Sequence, residues 1–77
     1  MFIVSTNWIT NVDQVSNIYV AKPHIMVQTQ KGSFPIYRCS DVKQLDYVYN
    51  MIVQHIINDE NCYINDIVQK YVSQNGG

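Results

Sequence analysis

The spacing of apolar residues changes character near residue 40. Before it, the chain reads in short alternating or apolar segments, the period of strands. After it, apolar residues recur every three or four positions, the period of helices. Phe2 to Val4 suits a buried first strand, broken by Ser5-Thr6-Asn7. Trp8-Ile9-Thr10 either resumes that strand after a bulge or opens a second one. Asn11 to Gln14 reads as a turn, because Asn and Asp side chains bond nearby backbone and compete with regular structure.

Val15 to Lys22 alternates as a strand, with Ile18 and Val20 on one face and Asn17 and Tyr19 on the other. Pro23 lacks an N–H and marks a connection. Ile25 to Gln30 alternates again, and Lys31-Gly32 supplies a turn in which Gly32 takes a positive φ. Phe34 to Cys39 is the return strand, with Phe34 and Ile36 facing one way and Tyr37 and Cys39 the other. Pro35 confines it to a sheet edge. The outward sheet face would then carry Asn17, Tyr19, Met26, Gln28, Tyr37 and Cys39.

From Ser40 to Asn58 no Gly or Pro interrupts the pattern, which predicts a helix over 41–57 with Ser40 as N-cap and Asp41 complementing the dipole. Val42, Leu45, Val48, Tyr49, Ile52, Val53 and Ile56 form one broad apolar face, enough to cover a sheet. Tyr47, Met51 and His55, at i, i+4 and i+8, form a second stripe on the opposite side. A second amphipathic helix is expected over about 62–74, with Ile64, Ile67, Val68 and Tyr71 in one arc and Asn61 as a possible cap. Asn75-Gly76-Gly77 would end it. A strand at Cys62–Ile64 is the competing reading. The second stripe therefore has two takers, the last helix of the same chain or a partner, and the pattern does not choose.

This order predicts one α+β domain over residues 1–77. A small antiparallel sheet of three or four strands (2–39) precedes one long and one short C-terminal helix. A core of this size rarely supplies more than ~3–5 kcal/mol, so small domains often add a disulfide, a metal or self-association. Cys39 and Cys62 flank the long helix. The N-terminus has no basic, apolar and small-residue sequence of regions, so a reducing, cytoplasmic setting is expected. Cys39, Cys62, His24 and His55 are scattered singly, unlike the close pairs of zinc sites, so no metal or cofactor is expected. Self-association remains, and composition favours it. Charged residues are 14% of the chain against about 25% on average, and eight Asn and seven Gln fill the gap. An amide- and tyrosine-rich surface resembles an interface, although an AT-rich genome favours the same residues.

Net charge is −1 with five dispersed cations, which gives no basic patch for duplex DNA. No apolar run is long enough to span a membrane. There is no glycine-rich phosphate loop, nucleophile elbow or HExxH, so no catalytic residue and no enzyme is expected. The candidate interface comprises Tyr47, Met51 and His55, with Tyr63, Tyr71 and Val72 as secondary contacts. An alternative site for single-stranded nucleic acid or a nucleotide comprises Trp8, Tyr19 and Tyr37 as stacking groups with Lys22 and Arg38 as phosphate contacts. The plainer alternative is Trp8 in the core and ordinary strand tyrosines.

The run Ile9-Thr10-Asn11-Val12-Asp13-Gln14-Val15-Ser16-Asn17-Ile18-Tyr19-Val20 is similar to the opening of many small proteins of low-GC Gram-positive bacteria and their phages. In those, a pattern like I-N-x-D-x-V-x-x-I-x-V precedes a hairpin and a helix that look like a fragment of a pleckstrin-homology-like barrel. The resemblance covers roughly residues 9–57, and it implies no catalytic residue. The second C-terminal helix and the low charge depart from the pattern. Together these features lead to the expectation of a small, non-enzymatic interaction or regulatory protein from a phage or mobile element. It would act as a homodimer that binds and occludes a macromolecular partner, for example as an inhibitor of a host protein.

Overall fold

The computed structural model describes residues 1–75, so the end of the chain at Gly76-Gly77 lies outside the described residues. The strands are β1 (Phe2–Val4), β2 (Ile9–Asn11), β3 (Val15–Ala21), β4 (His24–Thr29), β5 (Gly32–Arg38) and β6 (Cys62–Tyr63). The helices are α1 (Val42–Ile57) and α2 (Ile64–Asn75), and a 3-10 turn covers Val12–Gln14. The fold is α+β, as the pattern predicts. Its strands divide between two three-stranded sheets: an antiparallel meander β3-β4-β5, and a mixed sheet ordered β2-β1-β6 in which β6 runs parallel to β1.

Strand β6 replaces the first two residues expected for the last helix. Asp59 takes a left-handed φ of 57° at the end of α1. The Asp59 N–H donates to the Ile56 carbonyl (3.1 Å) and the Glu60 N–H to the His55 carbonyl (2.9 Å), a paired closure that turns the chain sharply. Asn61, expected as a helix cap, instead accepts from the Phe2 N–H at 2.9 Å. That bond brings Cys62 beside Ile3, where both are buried. The pairing stops after Tyr63, and the helix begins at Ile64.

The long helix also starts one residue later than expected. Asp41 rather than Ser40 is the N-cap, its carboxylate accepting from the N–H groups of Lys43 (3.0 Å) and Gln44 (3.5 Å). Of the broad apolar face, Leu45, Val48 and Ile52 are fully buried, while Val42 at the end is exposed. They join Ile3, Ile25, Val27, Ile36, Cys62, Ile64 and Ile67 in one core. Helix α1 touches β3, β4 and β6, and so closes the inner faces of both sheets.

Strand β5 is an edge strand, as Pro35 requires, and Gly32 has φ 126° at the end of the two-residue turn after Thr29. A bulge re-aims part of β5. Ile25 lies opposite Tyr37 and Met26 opposite Pro35, so Ile36 is the extra residue. Alternation without the bulge would put Tyr37 on the outer face. With it, Tyr37 turns to the helix side, where its hydroxyl accepts from Gln44 Nε2 at 2.9 Å. Arg38 is left opposite His24 on the outer face, beside the row Tyr19–Met26–Pro35. Burial raises the Tyr37 hydroxyl above its usual pKa, and the Gln44 bond partly offsets this. The other edge of the meander is partly covered, since the Tyr49 hydroxyl donates to the Ile18 carbonyl at 3.2 Å.

Candidate functional site

Two surfaces emerge, on opposite faces of the β1–β2 hairpin. In the mixed sheet Ile3 and Cys62 point inward. Alternation therefore sends Phe2, Val4, Ile9 and Tyr63 outward. Ile9, Val4 and Tyr63 stand directly opposite one another across three strands. Phe2, Ile9 and Tyr63 are 44%, 66% and 49% exposed. Asn11 shares the face but is occupied, its side chain accepting from the Asp13 N–H at 3.0 Å. The face carries no charged residue.

The second surface is a groove of about 390 Å³ on the inner side of the same hairpin. The Ser5 N–H donates to the Trp8 carbonyl at 2.9 Å and the Ser5 hydroxyl at 3.0 Å, closing a tight turn through Thr6 and Asn7. Trp8 follows the parity of Ile3 rather than Ile9, yet it lies beyond the core and is 47% exposed. The groove runs from Trp8 past Ile64 and Asn65 to Tyr37, Arg38 and His24 at the end of the meander.

These positions redistribute the residues expected to act. Tyr47 packs against Tyr71, ring centroids 5.0 Å apart at 52°, and Met51 is half-buried against the core. Tyr47 of the second stripe is thus covered by α2 of the same chain, and Met51 is occupied by the core. His55 is half-buried near the helix end, its Nδ1 shielded and 4.0 Å from a Glu60 carboxylate oxygen, too far for a hydrogen bond. Tyr63 belongs to the apolar sheet face, and Val72 is exposed on α2. Of the alternative set, Trp8, Tyr37 and Arg38 meet in the groove, while Tyr19 and Lys22 lie outside it. Asn65 is a groove residue the sequence pattern did not single out, and His24, weighed there only as an isolated metal ligand, lines the groove as well. Phe2 and Ile9 were missed as surface residues, because an apolar run reads equally well as a buried strand.

Neither cysteine is paired; Cys39 is half-exposed and Cys62 is buried. Burial pushes the Cys62 thiol up to about 11, which suppresses the thiolate and its reactivity. Among the described residues no three His, Cys, Asp or Glu side chains gather as metal ligands. No helix among them is long and apolar enough to cross a membrane. The chain matches no known family, no curated protein sequence and no solved structure.

Proposed function

We propose that this chain is a non-catalytic interaction protein that pairs with a second copy of itself through the outer face of its mixed sheet. The observation that carries the reading is the uncharged cross-strand row Ile9–Val4–Tyr63 with Phe2 beside it, in which Ile9, Tyr63 and Phe2 are exposed and Val4 is half-buried between them. Exposed apolar groups gathered in one patch mark an interaction surface more than groups scattered singly. A second copy suits the face because it offers the same apolar row and no charge that would need a counterpart. With a net charge of −1, two copies repel each other weakly. Four side chains make a smaller contact than the roughly 800 Å² per partner of a standard interface, so the association is weak and reversible.

Occlusion of a macromolecular partner, a phage or mobile-element origin and a cytoplasmic setting belong to the same proposal. The two unpaired cysteines fit the reducing setting. Light scattering across a concentration series tests the pairing. The wild type is expected to gain mass with concentration, and Ile9→Lys to stay at the chain mass of 8.9 kDa. A wild type that stays monomeric throughout would remove the proposal.

A further inference from the structure

The geometry points to a second binding site, for a nucleobase joined to a phosphate, in the groove between the Ser5–Trp8 turn, the His24–Arg38 end of the meander and the start of α2. Three observations meet there. Trp8 is the chain's sole tryptophan; it lies outside the core, half-exposed, and lines the groove, where it offers an aromatic side chain on which a base can stack. Arg38 lies at the far end, beside His24 in strand register, and among the described residues it makes no ion pair. Although the chain is net negative, no Asp or Glu lines the groove. Its local charge therefore favours an anion.

Polar groups complete the site. The Thr6 hydroxyl donates to Asn65 Oδ1 at 3.2 Å, which leaves the Asn65 NH2 to donate to a base edge or a phosphate oxygen. Size and charge narrow the ligand. A volume of about 390 Å³ lies at the small end of the ~300–1,000 Å³ typical of ligand sites. One guanidinium can hold one phosphate, far from the several contacts that duplex binding requires. The ligand is then a nucleoside monophosphate or one unit of a single strand, with the base on Trp8 and the phosphate on Arg38. The site lies on the opposite side of the β1–β2 hairpin from the apolar pairing face.

Trp8 emission reports binding directly. Full-length protein at low salt would be titrated with adenosine monophosphate, a short oligothymidylate and inorganic phosphate, with calorimetry in parallel. Quenching by the mononucleotide, with or without the oligonucleotide, supports the site. Binding of the oligonucleotide with a salt slope of about −0.7 identifies a single strand held by one phosphate. Arg38→Gln should weaken binding by about tenfold or more. Trp8→Ala, followed by calorimetry, should do the same, whereas Tyr19→Ala should bind as wild type. Arg38 and Trp8 are exposed, so both variants should keep the wild-type far-UV spectrum. Quenching by phosphate alone, no response to millimolar mononucleotide and oligonucleotide, or full binding by both groove variants would overturn the assignment.

Discussion

Removing the ring pair Tyr47–Tyr71 probes whether α2 closes over the second stripe of α1. The centroids are 5.0 Å apart and tilted by 52°, inside the 4.5–7 Å window in which such pairs contribute ~0.5–1.5 kcal/mol beyond their area burial. Each tyrosine makes other contacts, so a single substitution mixes several losses; a double-mutant cycle isolates the pair. Tyr47→Leu, Tyr71→Leu and the double variant keep apolar bulk at both positions and preserve the fold. Urea unfolding would be followed by far-UV circular dichroism and by the emission of Trp8, which sits on a different part of the molecule. With a slope near ~1 kcal/mol/M for so small a domain, the coupling should appear as a non-additivity of about 0.5–1.5 M in midpoint. Additivity within ~0.3 kcal/mol would show that the helices do not pack through these rings in solution. The stripe would then be free for a partner after all.

Two further predictions concern the helix start and the thiols. Asp41→Ala should lower stability by about 1 kcal/mol through loss of the N-cap, and Ser40→Ala should leave it nearly unchanged in the same urea assay; the reverse ranking would place the cap one residue earlier. With a disulfide-exchange reagent near neutral pH, half-exposed Cys39 should label first and Cys62 only when the protein opens; equal rates would contradict its burial. Because folding raises the Cys62 thiol from 9.0 to about 11, its contribution to stability is complete below about 9 and lost as pH rises toward about 11. Wild type should therefore weaken relative to Cys62→Val over that window, and parallel pH curves would refute the shift.

Much of the fold was legible because its signals are local. The alternation of Ile18 and Val20, the breaks at Pro23 and Gly32, and the periodic run of Leu45, Val48 and Ile52 each specify an element within a few residues. What escaped is non-local or depends on one irregular residue. The strand Cys62–Tyr63 exists only because Asn61 and Cys62 meet Phe2 and Ile3 from the other end of the chain. The bulge at Ile36 leaves no mark on composition, yet it moves Tyr37 to the helix side and Arg38 outward. The candidate site was legible only in part, since stacking and phosphate-binding residue types announce chemistry but not neighbourhood. Trp8 and Arg38 line one groove; Tyr19 and Lys22, equally plausible by type, do not.

The central claim is that the chain pairs through its mixed sheet and not through its long helix. Sedimentation equilibrium of wild type, Ile9→Lys and Met51→Glu over a broad concentration range separates these surfaces. Wild type should approach twice the 8.9 kDa chain mass as concentration rises, and Ile9→Lys should remain a folded monomer. Met51→Glu places a charge against the core, so it should lose stability yet retain pairing in whatever fraction stays folded. Pairing that survives Ile9→Lys and disappears in a folded Met51→Glu would contradict the account and return the interface to the helix.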